Sequence, residues 1–318
     1  MRTSAQQSSI PHLSMVVVHG AVYDGRAMSQ RPELLRRLLV NRSEEYTHTA
    51  LEQTVGNEGG RVSPKVRLAD IVNLDAIRDS HGLTSSEFHS ALQMSFDFLV
   101  TDHDSAPLFA VEFDGPQHHD PDVARRDRLK NRLCEQAGLQ LLRIESEYLE
   151  PVGRFPTMVQ WLAELRLLEV KFDQAQVEGQ IPLDEPFTTL TIWGKGGPTH
   201  DPFLRSWEKL RVWRSEGRVG PCYGGSVGLR NGKERAVVVI AVPPFVGDQS
   251  QMCVVGSGGC SFPYFGGVFG FEFAEDLAVL DALDKAERHA IGKCPAVADS
   301  TLGPLKAALD GHSGFGMS

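Results

Sequence analysis

Cysteine is scarce. The chain has only five in 318 residues, Cys134, Cys222, Cys253, Cys260 and Cys294. An odd, thinly spread set reads as reduced thiols rather than a disulfide framework, which points to a cytoplasmic chain. Long apolar runs are missing too. The longest near the start, Met15 to Val18, is too short for a signal sequence, and nowhere do about 18 apolar residues run together, so no membrane partner is expected. Basic excess is absent: 32 Lys and Arg stand against 41 Asp and Glu, a net charge of −9, so any contact with nucleic acid must be local. No repeat of fixed period is visible. The glycine-rich stretches starting at Gly194 and Gly256 lack the Lys-Ser/Thr ending of a phosphate loop, and Cys253 and Cys260 do not have zinc-site spacing.

What is present suffices for a packed core, and the length suits about two domains. The sequence divides into a loose terminus over 1–25, an α/β domain over 26–177 and an α+β domain over 178–318, with a linker at 178–186 where Pro, Gln, Glu and Gly gather. Leu34, Leu35, Leu38 and Leu39 give a helical stripe within 32–55. Strands are expected over 61–71, 94–101 and 108–114, the last two forming a hairpin around the polar turn 102–107. A helix follows over 122–137, with Leu129, Leu133 and Ala137 as its buried stripe and Gly138 as its stop, then a strand over 140–144. This order makes an α/β unit with a central mixed sheet. A further helix is expected over 155–172. The second half reads as a strand over 188–193, a helix over 202–216, strands over 236–242 and 251–255, and a helix over 275–291. Its Phe- and Gly-rich stretch from Phe262 to Phe273 reads as core and hairpin packing rather than a base-stacking platform.

The chemistry concentrates between Asp97 and Arg143. By the two-residue strand period Glu112 and Asp114 share a face, and a paired neighbouring strand would bring Asp97 beside them. Acids this close need a cation or a shared proton, and a divalent metal is the better reading. Other roles compete at single positions. Asp114 before Gly115-Pro116 serves equally well as a turn former, and His118 is open between a surface turn and an active-site group. Arg125, Arg126, Arg128 and Arg132, with Lys130 among them, make the most basic helix in the chain. Arg125, Arg128 and Arg132 fall on one face, as a contact for phosphate backbone or as a solvated surface.

These residues resemble the restriction-endonuclease-like, PD-(D/E)XK nuclease superfamily. The likeness is closer to a bacterial branch patterned PKVRLAD, DF, ExDGxxH, RDxxK and aGLxhLRI. Here those segments are Pro64 to Asp70, Asp97-Phe98, Glu112 to His118, Arg126 to Lys130 and Ala137 to Ile144, so the likeness covers about 44–145. The resemblance implies a restriction-endonuclease-like core that hydrolyses DNA with Mg2+ or Mn2+. Asp97 and Glu112 would be ligands, the Phe113 carbonyl a third, and Glu44 a nearby helical acid. Asp114 stands where the superfamily usually has a lysine. Lys130 is then expected to supply the ammonium, His118 or Gln117 to orient water or phosphate, Asp127 to pair with a helix neighbour, and Arg143 to assist phosphate contact. The alternative is a nuclease-like module that binds DNA or assembles without turnover. In the nuclease reading the second half recognises substrate, a protein partner or another copy of the chain.

Overall fold

The computed structural model describes residues 38–39, 41–114, 121–152, 155–187, 202–230, 233–243, 252–309 and 314–317. The expected terminus over 1–25, the leucines at 34 and 35 and the strand over 188–193 lie outside them. The fold is mixed α/β.

The first helix, α1 (Arg42–Gly56), starts later than the leucine stripe suggests, because Asn41 caps it: its Oδ1 accepts from the Glu44 amide at 2.9 Å. Of the two described leucines of that stripe, Leu38 is exposed and Leu39 packs on the core. Strand β1 (Arg61–Arg67) stops short of the expected end, giving way to a 3-10 turn at Leu68–Asp70. Two short helices follow, α2 (Leu74–His81) and α3 (Ser85–Ala91). Thr84 and Glu87 form a reciprocal capping box at the start of α3.

The hairpin then forms as the sequence suggests, with β2 (Ser95–Thr101) and β3 (Pro107–Phe113) antiparallel. Asp102 shapes its turn by accepting from the amides of Asp104 and Ala106. Helix α4 (Pro121–Gln136) crosses over to β4 (Gln140–Ile144), which runs parallel to β3. Leu129 and Leu133 are buried as expected, but Ala137 is exposed beyond the helix end, and Cys134 takes its place in the core. Gly138, at φ +68°, makes the turn into β4. The sheet order is β1-β2-β3-β4. One face packs on α1 and on α5 (Met158–Val177), through Phe98, Val111, Leu51 and Trp161. The other packs on α4, through Leu99, Ala110, Leu129 and Leu133.

The second half holds α6 (Leu204–Ser215), a meander of β5 (Cys222–Arg230), β6 (Lys233–Val242) and β7 (Met252–Cys260), and a small hairpin of β8 (Tyr264–Phe265) and β9 (Val268–Phe269). Long helix α7 (Gly270–Ala290), β10 (Val297–Ala298), α8 (Gly303–Leu309) and β11 (Gly314–Met317) complete it. The order is β10-β7-β6-β5-β11, every pairing antiparallel.

Strand β5 was not expected, and β7 runs on through the glycines beyond the expected end at 255. The reason lies in α7, which rests directly on those glycines. A Cβ on Gly258 would come within 2.0 Å of the Ala274 carbonyl oxygen, and one on Gly256 within 2.1 Å of that of Ala278. The boundary expected at 178 follows α5. A single apolar cluster nevertheless joins Leu51 and Trp161 to Phe262, Phe273 and Ala278, and residues 38–318 form one compact unit. No helix among the described residues is long and apolar enough to cross a membrane.

Candidate functional site

One row of charge crosses the four-stranded sheet. Pro64 pairs with Phe98 and Val66 with Phe96, so Lys65 stands opposite Asp97. Phe98 pairs with Val111, so one step further Asp97 stands opposite Glu112, and Glu112 pairs with Arg143. The row therefore reads Lys65, Asp97, Glu112, Arg143, one residue from each strand. Glu112 shares its strand face with Ala110, the face that α4 covers.

Each central acid carries one ammonium. Lys65 Nζ donates to Asp97 Oδ1 at 2.6 Å and to Glu44 Oε1 at 3.4 Å. Lys130 Nζ, from α4, donates to Glu112 Oε1 at 2.6 Å and to the Ser95 carbonyl at 2.8 Å. The other oxygen of Asp97 accepts from the Phe113 amide at 2.8 Å. Since the N–H and C=O of one strand residue point to the same edge, the Phe113 carbonyl lies on the Asp97 side of β3. Burial pushes the Glu112 carboxyl above its ordinary range; Lys130 opposes the shift and the negative charge of Asp97 adds to it. Burial works against the charge of Lys65, but Asp97 and Glu44 together outweigh it and raise its pKa.

Asp114 does not join this pair. It sits just past β3, its amide bonded to the Ile144 carbonyl, and its buried carboxylate is 2.9 Å from Arg143 Nη1. The expected convergence of three acids is therefore not formed. Among the described residues no group of three or more His, Cys, Asp or Glu side chains is placed to hold a metal. Asp127, expected to pair with a neighbour on its own helix, meets Arg143 across the helix–sheet interface at 3.2 Å, while Asn131 accepts from Arg143 Nε at 3.1 Å. Arg143 is 5% exposed, so it organises the interior of the site instead of presenting itself to a nucleic-acid backbone. Glu44, itself buried, reaches the site through Lys65.

Arg125, Arg126 and Arg128 are exposed on α4 and, among the described residues, carry no ion pair. They line an open cleft against Ser86 and Ser90 of α3. Arg132 lines the same cleft but is tied to Glu87 at 2.7 Å. His118 and Gln117 lie outside the described residues.

Sequence reasoning missed two participants. Asn131 gave no signal beyond its place on α4. Lys65 stood inside a quoted motif, but 27 residues separate β1 from β2, which hides the register that sets it opposite Asp97.

The donor chemistry fits a hard divalent cation. Two carboxylates come from adjacent strands, the negative charge of Asp97 adding to the upward shift of Glu112, and a backbone carbonyl shares the Asp97 edge. Outside the site, burial pushes the Cys222 and Cys253 thiols up to about 11 and those of Cys134 and Cys260 up to about 12, which leaves these four as protonated core residues at neutral pH.

Comparison with known proteins bears on this same region. No solved structure matches the chain. Over 116 residues it is 27% identical to an uncharacterized protein of Haemophilus influenzae strain Rd, a match covering 36% of this chain and 56% of that relative, so the chain spans little more than half the relative's length. Residues 36–154 match the model of a family described as a protein of unknown function (DUF2726), a similarity that takes in every candidate residue from Glu44 to Arg143.

Proposed function

We propose that the chain is a metal-dependent nuclease that hydrolyses DNA phosphodiester bonds, with a restriction-endonuclease-like core built on β1 to β4. The reading rests on the motif resemblance, and one observation carries it. Asp97 and Glu112 stand opposite each other on the two central strands, with the Lys130 ammonium 2.6 Å from Glu112 although it comes from a different element. That contact supports Lys130 as the ammonium that the strand itself lacks at Asp114.

Asp97 and Glu112 would hold the Mg2+ or Mn2+ ion, which when bound activates water and offsets charge on the phosphate. The chain's own groups have separable tasks. The Phe113 amide fixes the plane of the Asp97 carboxylate. Lys130, held by the Ser95 carbonyl, keeps a proton donor beside Glu112. Arg143 balances Asp114 and Asp127 behind the row. Arg125, Arg126 and Arg128 present exposed charge to the sugar–phosphate backbone. The test is cleavage of DNA in Mn2+ by purified protein and by Glu112→Gln. The variant keeps an oxygen for Lys130 and should fold but not cut; cutting that survives in the variant removes the assignment.

A second reading, DNA binding without turnover, is favoured by one feature. Both central acids already carry a lysine, and Asp114 is committed to Arg143. A salt-sensitive gel shift with no products in Mg2+ or Mn2+ would select it.

A further inference from the structure

Lys65 is out of place by local rules. It stands in the middle of β1 with φ +55°, a left-handed conformation that residues with a side chain disfavour and that glycine adopts freely. Lys65 and Asp97 are also missing from the ladder of paired residues, although the pairs on either side set them opposite one another. A conformation of this kind persists where the surroundings hold it. Here the ammonium is what the surroundings hold, shared between Asp97 on β2 and Glu44 on α1.

The two lysines of the site differ in how firmly they are bound. The Lys130 side chain is 10% exposed, and besides Glu112 it satisfies the Ser95 carbonyl, which its departure would leave without that donor. The Lys65 side chain is 29% exposed, and its two hydrogen bonds go to carboxylates alone. The two oxygens of Asp97 differ as well. Oδ2 is fixed by the Phe113 amide, while Oδ1 faces Lys65. A cation approaching Asp97 Oδ1 therefore competes with Lys65 and not with Lys130. Lys65 can yield without stranding its charge, because Glu44 stays within reach.

Resting on the reading of Asp97 and Glu112 as metal ligands, we propose that Lys65 is a displaceable counter-cation. Its ammonium holds Asp97 where a divalent cation would bind, and its ion pair passes to Glu44 when that cation arrives. Lys65 is a positioning residue in this scheme and touches no substrate. Its presence lets two facing acids fold without metal, at the cost of weaker metal binding.

The experiment is calorimetric titration of Mn2+ into EDTA-treated full chain, with folding of each variant checked by circular dichroism. Lys65→Met should bind Mn2+ about tenfold more tightly than the parent, on the scale of one partly exposed ion pair. Glu44→Gln should bind more weakly than the parent, since the displaced ammonium loses its second partner. Adding Glu44→Gln to Lys65→Met should change nothing further, because no ammonium is left to move. If Lys65→Met does not fold, Lys65→Gly removes the same charge from a backbone that suits glycine. Equal or weaker binding by the Lys65 variant overturns the proposal while leaving the metal reading intact. An undiminished Glu44→Gln effect in the double variant overturns it too, by showing that Glu44 acts on the metal directly. No uptake by the parent or by any variant overturns both the proposal and the metal reading.

Discussion

Two sheets in this chain each carry a helix across one face, and the two interfaces are built on opposite terms. Under α7 the second sheet offers Gly256 and Gly258, and the helix answers with Ala274, Ala278 and Ala282, so that backbone lies almost on backbone. Under α4 the first sheet offers Glu112 and Arg143, and the helix answers with Asp127, Lys130 and Asn131. The first kind of contact maximises packing and leaves no room for chemistry. The second gives up packing to keep charges out of water, which is costly unless every member is partnered. Stability should therefore concentrate in the α7 sheet, and function in the α4 sheet.

Separating those two properties by mutation is the way to break that comparison. The largest effect should come from Glu112→Gln. Its cutting rate in Mn2+ should fall on the order of a thousandfold, several kcal/mol of lost transition-state stabilisation, with the melting temperature moving little. A large fall in melting temperature would mean that the charged row is structural. Gly258→Ala should do the reverse. The added methyl has backbone 2.0 Å away on Ala274 and 2.7 Å away on Ala278, so the helix must lift, at a cost of roughly 1–3 kcal/mol or more. Thermal unfolding measures it, and cleavage per folded molecule should be unchanged at low temperature. Unaltered stability would show that α7 is not the keystone it looks to be.

Arg125→Ala combined with Arg128→Ala should sharpen the picture within the α4 sheet. Both side chains are exposed, so stability should stay within about 0.5 kcal/mol. DNA affinity should fall, and the slope of log affinity against log salt should shrink by about two if each side chain neutralises one phosphate. An unchanged slope would return these arginines to an ordinary solvated surface.

The α4 sheet was far more legible in the sequence than the α7 sheet, and the reason is local. The hairpin around residues 102–107, the crossover helix and the parallel strand after it are each marked by adjacent signals: a polar turn, a Leu129–Leu133 stripe and Gly138. The pairing of Asp97 with Glu112 followed from the hairpin alone. Lys65 did not, because its partner strand comes after two helices and no local pattern sets that register. Nor did the buried role of Arg143, which depends on Asp114 reaching back to it from beyond the strand end. In the second half, the expected strand over 251–255 stopped short of the glycines of β7, because glycine in a strand lacks the alternation that marks a strand. They are explained only by a helix lying some twenty residues further on, in long-range contact that a window of sequence does not contain.

The smallest effect concerns the rim of the arginine cleft, where a residue of the fold meets a residue of the site. Glu87 belongs to the fold as the cap of α3, and it also takes Arg132 out of the set of free cations. Its carboxyl is drawn down from 4.5 to about 2 by the Thr84 hydroxyl first, then by the Thr84 amide and Arg132. A folded pKa below the unfolded one contributes stability that is complete above the unfolded value and is lost as pH falls through the folded one. Glu87→Gln can keep much of the cap, since glutamine also serves at that position, but it loses the charge. The parent should melt higher than the variant by a constant margin above about pH 4.5, worth less than about 1 kcal/mol after solvent screening, and the margin should close as pH falls toward 2. The same variant releases Arg132 into the cleft, so its DNA binding should be slightly tighter than the parent's at neutral pH. A margin that stays constant down to low pH would mean that the cap depends on hydrogen bonding alone. Weaker DNA binding by the variant would mean that Arg132 needs Glu87 to hold it in position, and the capping box would then belong to the functional half of the comparison.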